Sequence, residues 1–169
     1  MQRNNDVTFQ HKGAGHVSFS TQPGERGRRK MRIGPVGRWV MQRTNREARG
    51  RGGRLMGMNV LVLHTVGYRS GQRRASPVSW FADGDQAWLI VASARRPARS
   101  PDWYHNLAAH PDQVSIDVPH RGTIQVRAEQ LDGDARADAW QRIISEQQHY
   151  AVYQAKTGRV PPVFRLTAV

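Results

Sequence analysis

The rhythm of apolar positions changes near residue 55. Before it, residues 1–34 are polar and glycine-rich with no period, and read as a disordered N-terminal tail. Residues 35–47 carry a short helical pattern, with Pro35 in a first turn and Trp39, Val40 and Arg43 on separable faces. ARGRGGR at 48–54 breaks it, so residues 35–54 read as a basic helix and linker. From 55 to 169 the pattern is that of one ordered domain. Residues 59–66 predict a strand, 74–82 its hairpin partner, and DGD at 83–85 a turn into a third strand, 87–92, apolar enough to be buried.

Further along, Ser100 reads as an N-cap, with Pro101 at the first helical position and Asp102 near the positive end of the dipole. That helix runs to about His110, before Pro111. Residues 114–118 and 123–131 form a hairpin around PHRG. Residues 134–148 are a helix with Trp140, Ile143 and Ile144 at core spacing, and 163–167 a last strand. Mostly antiparallel strands with helices over the openings predict a small barrel.

Composition narrows this picture. At 169 residues the chain can bury a core without staples. With no cysteine, disulfides and thiolate metal sites are excluded, in keeping with a cytoplasmic location. The net charge of +13 is concentrated in residues 24–54, which hold eleven basic and two acidic residues; residues 55–169 hold thirteen and ten. Such a block suits a nucleic-acid arm, an anionic membrane or a solvated tail. It contains one aromatic residue, Trp39, and no nucleic-acid motif, which argues against the first. A basic helix at 35–54 would permit peripheral contact with the inner face of the plasma membrane. Met31 is a candidate alternative start, which would leave residues 1–30 untranslated.

Candidate chemistry is sparse. No metal-ligand spacing, phosphate-binding P-loop, nucleophile elbow or dinucleotide fingerprint is present, and no metal is expected. The bend of the first hairpin, GYRSGQRR at 67–74, is denser in cations than a turn needs. Arginine forks and successive turn N–H groups both favour phosphate and carboxylate oxygens. The loop SARRPARSPDW at 93–103 adds Arg95, Arg96 and Arg99 before a helix N-terminus. Two anion-ready sites on a nearly neutral core suggest a polyanionic small ligand.

Three blocks, HTVGYRSGQRRASPV, VASARRPARSPDWYHNLAAHP and HYAVYQAKTGR, occur in that order, and through them the chain resembles the deazaflavin-dependent nitroreductase and F420H2-dependent quinone reductase family of actinobacteria. The resemblance implies an α+β split β-barrel of the pyridoxamine-phosphate-oxidase and flavin-reductase type, mostly antiparallel, with flanking helices. It implies coenzyme F420, a deazaflavin bearing a phosphate, a lactyl carboxylate and an oligoglutamate tail. By motif it implies that Tyr68, Arg69 and Ser70 make turn contacts with the cofactor. Arg74, Ala75, Ser76, Pro77, Val78 and Ser79 would lie along it, and Val91, Ala92, Ser93 and Ala94 against its ring. Trp103, Tyr104 and Asn106 would complete the pocket, with Tyr150 on the substrate side as the catalytic candidate.

From the residues alone, Trp103 reads equally as a core anchor, Tyr104 as a surface residue, and either Tyr150 or Tyr153 as the pocket tyrosine. The family pattern has Arg or Lys in place of Tyr68, Gly-Gly in place of ARRP, and a larger residue in place of Ser79. The implied activity is hydride transfer from reduced F420 to a small electron-poor acceptor: a quinone, an enone or a nitro compound. An FMN-binding split barrel and a basic nucleic-acid module are the rival readings. The oligomeric state is left open.

Overall fold

A computed structural model describes residues 54–55, 57–93, 100–158 and 160–169. The expected tail (1–34), most of the basic helix and linker (35–54), Ala94, Arg95, Arg96 and Arg99 lie outside the described residues. The elements, in order, are β1 (Arg54–Leu55), β2 (Met58–Val66), β3 (Arg73–Ala82), β4 (Ala87–Val91), α1 (Asp102–Ala109), β5 (Val114–Val118), β6 (Gly122–Gln130), α2 (Gly133–Glu146), α3 (His149–Thr157) and β7 (Val163–Ala168). The strands run β1-β2-β3-β4-β7-β6-β5, all antiparallel, and a further β2–β5 pairing closes six of them into a barrel. The expected split β-barrel is the fold. Among the described residues, no helix is long and apolar enough to cross a membrane.

Strand alternation sorts the side chains into an inner and an outer set. Leu61, Leu63, Val78, Trp88, Ile90, Val114, Ile116, Val126, Phe164 and Leu166 fill the barrel, with Trp103, Tyr104 and Leu107 of α1 packed against them. Phe81, Leu89, Val91 and Val163 face outward and are covered by Ala139, Trp140 and Ile143 of α2 and Tyr150 of α3. Burying a large apolar side chain stabilises by about 1.5–3 kcal/mol, so each cluster holds its elements firmly. The apolar run in β2 reflects burial on both faces: outward Val60 and Val62 are only 4% and 2% exposed. At the β3–β4 turn, Gly84 has φ 83°, a conformation that glycine adopts without strain.

Three local expectations are corrected. Pro101, not Ser100, is the N-cap of α1; it offers no side-chain cap bond, and Ser100 is buried. The helix expected over 134–148 ends at Glu146, and a separate helix, α3, carries Tyr150. A two-residue strand, β1, precedes the first expected strand.

Asp83, in the β3–β4 turn, joins two distant elements. Its carboxylate accepts from Arg142 of α2 at 2.7 Å and from Arg165 of β7 at 2.5 Å. Burial alone would raise its pKa, but the bonds and charges of Arg165 and Arg142 outweigh burial and hold the carboxyl below its ordinary range. This contribution is present above the ordinary carboxylate pKa and is lost as pH falls through the lowered value. Asp83→Asn is therefore expected to destabilise the fold by about 1.5–3 kcal/mol at neutral pH. Urea unfolding of both proteins from about pH 7 to about pH 3 should show the difference shrinking with acid.

Candidate active site

The β2–β3 turn is built around Gly67. Its N–H donates to the Gln72 carbonyl at 2.9 Å, and its own carbonyl accepts from Ser70 N–H at 3.1 Å and Gly71 N–H at 2.8 Å. A Cβ on Gly67 would meet Ser70 Oγ at 2.6 Å and the Gln72 carbonyl oxygen at 3.3 Å, so a side chain here would displace the Ser70 hydroxyl. Ser70 Oγ in turn accepts from Gln72 N–H and from the Arg74 guanidinium, both at 3.4 Å. Arg74 also donates to Gln72 Oε1 and so braces the turn.

Helix α1 pins this turn from below. Asn106 Oδ1 accepts the Tyr68 N–H at 3.1 Å, while Asn106 Nδ2 donates to Thr65 Oγ1 at 2.9 Å. Tyr68, 43% exposed, lies between the Arg69 guanidinium, 5.0 Å from its ring centroid, and the His105 ring at 5.5 Å. An aromatic ring thus stands where the resemblance expects a cation, and it orients Arg69 through a cation–π contact.

From the turn, β3 carries Arg73, Ala75, Pro77 and Ser79 on the face opposite the barrel core. Their partners on that face are Val66, His64, Val62 and Val60 of β2. The residues after Arg73 are small, and the strip extends about 20 Å from Arg73 to Ser79. At its far end Tyr150 projects from α3. Its hydroxyl faces the side chains of Ser79 and of Ser93, just beyond β4. The ring is 5% exposed and packs edge-on against Phe81 at 5.8 Å and Trp140 at 6.4 Å. Burial raises the Tyr150 pKa above the ordinary phenol value, partly offset by the two serines, so the hydroxyl keeps its proton at neutral pH.

Of the sequence candidates, Ala75, Pro77, Ser79, Val91, Ser93 and Tyr150 share this outer wall, and Tyr68, Arg69 and Ser70 form the turn at its end. Ser76, Val78 and Ala92 have the opposite parity: Val78 and Ala92 are in the barrel core, and Ser76 pairs with core Leu63. Trp103 and Tyr104 are also core residues, edge-on to Phe164 at 5.9 and 5.7 Å. Tyr153 is half-buried, and its hydroxyl has no partner among the described residues. Arg73, absent from the motif-derived set, shares the strip's face; counting back by twos from Ser79 would have found it.

A six-stranded split barrel with a cationic hairpin at one end of an outer strip, and buried Tyr150 beside half-buried Ser79 and Ser93 at the other, is the scaffold on which the comparisons bear. The chain belongs to the F420H(2)-dependent quinone reductase family, whose model matches residues 37–168. It is 43% identical over 110 residues to the F420H(2)-dependent quinone reductase Rv1261c of Mycobacterium tuberculosis (strain ATCC 25618 / H37Rv), covering 63% of this chain and 72% of that one. Among solved structures, an F420-H2 dependent reductase (FDR-A) is 30% identical with a TM-score of 0.57, covering 63% of this chain and 92% of that one. Another, described as a domain-swapped dimer, is 28% identical with a TM-score of 0.58, covering 78% and 98%. The protein is an oxidoreductase that uses reduced coenzyme F420.

Asn106→Ala removes the bonds that hold the turn, at Tyr68, and the end of β2, at Thr65, to α1. It is expected to cost about 1–3 kcal/mol. Amide hydrogen exchange at Tyr68 should accelerate by more than at the barrel strands.

Proposed function

We propose that the outer strip of β3 is the F420 cradle and that the enzyme reduces a quinone. The observation that carries this reading is the linear arrangement of the wall: cations at the Gly67 turn, small side chains along Ala75, Pro77 and Ser79, and the Tyr150–Ser79–Ser93 hydroxyls beyond them. A molecule with anions at one end and a planar reactive ring at the other fits that order. The donor chemistry fits as well, since Arg69 and Arg73 offer forked N–H pairs to phosphate and carboxylate oxygens.

In this reading Arg69, Arg73 and the turn N–H groups hold the anionic portion of the cofactor. Ser70 and Arg74 keep the turn in shape. Ala75 and Pro77 let a flat molecule approach the strand closely, and Val91 with Ser93 bounds the ring end. When bound, reduced F420 supplies a hydride. The residues around it orient the acceptor and exclude water. Tyr150, protonated at neutral pH, donates a hydrogen bond to the acceptor oxygen as negative charge develops there.

Titration with F420 tests the cradle. Arg69→Ala and Arg73→Ala are each expected to weaken binding about tenfold to a hundredfold, the loss of one charge-assisted contact of roughly 1.5–3 kcal/mol. The deficit should be larger at low salt. Wild-type affinity in both variants would remove the turn from the cofactor site. Tyr150→Phe should lower turnover with menadione while leaving F420 affinity near wild type, because the hydroxyl acts mainly in the transition state. Enone and nitro acceptors run beside the quinone define its range.

A further inference from the structure

We propose that His64 holds the polyol chain that joins the deazaflavin ring to its phosphate, with the imidazole Nδ1 accepting from a chain hydroxyl; this rests on the cofactor reading above. His64 lies on the outer face of β2 and pairs with Ala75 of the strip. Along β3, Ala75 follows Arg73 by about 7 Å and precedes Ser79 by about 13 Å. The cofactor's anions are assigned to the Arg73 end and its ring to the Ser79 end, so the chain between phosphate and ring passes beside His64. Between those ends the outer face of β2 and β3 otherwise carries only Val62, Ala75 and Pro77, none of which offers a side-chain hydrogen bond.

The imidazole is anchored through its other nitrogen. Nε2 donates to Asp117 Oδ2 of β5 at 3.0 Å, and Thr123 Oγ1 of β6 donates to Asp117 Oδ1 at 2.6 Å. A carboxylate only accepts, so Nε2 carries the hydrogen and Nδ1 of the neutral ring keeps its lone pair. Among the described residues Nδ1 has no hydrogen-bond partner. The Asp117 side chain is 16% exposed and that of His64 30%, so a mostly buried anchor holds a ring that a ligand can reach. The three side chains come from three adjacent strands, and the barrel's β2–β5 closure brings the first two together.

The test titrates the full chain with three oxidised ligands: F420, its phosphate-free deazariboflavin core, and a deazaflavin with an alkyl chain in place of the polyol. The wild type is expected to bind the core roughly three- to tenfold more tightly than the alkyl compound, the worth of one neutral hydrogen bond. His64→Phe, which keeps a ring, and His64→Gln, whose amide nitrogen can still donate to Asp117, should both erase that preference and weaken F420 by the same factor, with circular dichroism confirming the fold. Nitrogen NMR of the chain without ligand should place the His64 hydrogen on Nε2, and adding the core should move the Nδ1 resonance upfield. A hydrogen on Nδ1 instead, or an unchanged preference in the folded variants, overturns the assignment. Arg73→Ala separates this contact from the cradle, since it should weaken F420 and leave the phosphate-free core at wild-type affinity. Loss of F420 binding in Arg73→Ala with none in the His64 variants removes His64 alone. Wild-type F420 affinity in Arg69→Ala and Arg73→Ala removes the cradle and this contact with it.

Discussion

The Gly67–Gln72 hydrogen bond sets the register of the β2–β3 hairpin, and the rest of the molecule depends on that register. Because side chains alternate along a strand, a slip of one residue would turn Arg73, Ala75, Pro77 and Ser79 into the barrel and expel Val78 and Trp80. Core and site are thus two faces of one strand. The same turn that makes Leu61 and Leu63 meet Val78 and Ser76 also aligns the cations with the outer strip. A Cβ at Gly67 would displace the hydroxyl of Ser70, the residue that Arg74 braces.

The helices act on this wall from opposite sides. Helix α1 sends Trp103, Tyr104 and Leu107 into the barrel core and Asn106 to the turn, joining the core to the cationic end. Helices α2 and α3 cover the outer apolar patch and bring Tyr150 to the other end. Asp83 fastens α2 to the sheet through Arg142 and Arg165, so the tyrosine owes its position partly to an ion pair network outside its own contacts.

The strands were legible because their apolar residues alternate or run continuously between strong turns such as DGD, and the hairpin's excess of arginine marked one end of the proposed cofactor strip. The other end was harder to read. The short interval at Gln147–Gln148 carries no cap signal: Gln148, the N-cap of α3, makes no side-chain cap bond, so α2 and α3 merge in the pattern. Ser-Pro-Asp at 100–102 resembled a capped start, yet Ser100 is buried and Pro101 is the N-cap of a helix that begins at Asp102. Motif matching grouped Ser76 and Val78 with Ala75 and Pro77, although a strand must divide such neighbours between two faces. The meeting of Tyr150 with Ser79 and Ser93 is tertiary, and no local pattern encodes it.

Barrel closure has a consequence for the life of the chain in a crowded solution. The β2–β5 pairs Val62–Asp117, Leu63–Ile116 and His64–Ser115 bring together the first and last strands of the six-stranded ring. Among the described residues, a sheet closed in this way presents no long open flank onto which a second chain could add its own strand. Beside it, β1 extends for only two residues. A sequence with apolar runs as continuous as VLVL and WLIV would be adhesive if laid out flat, and closure removes the template for fibrous growth.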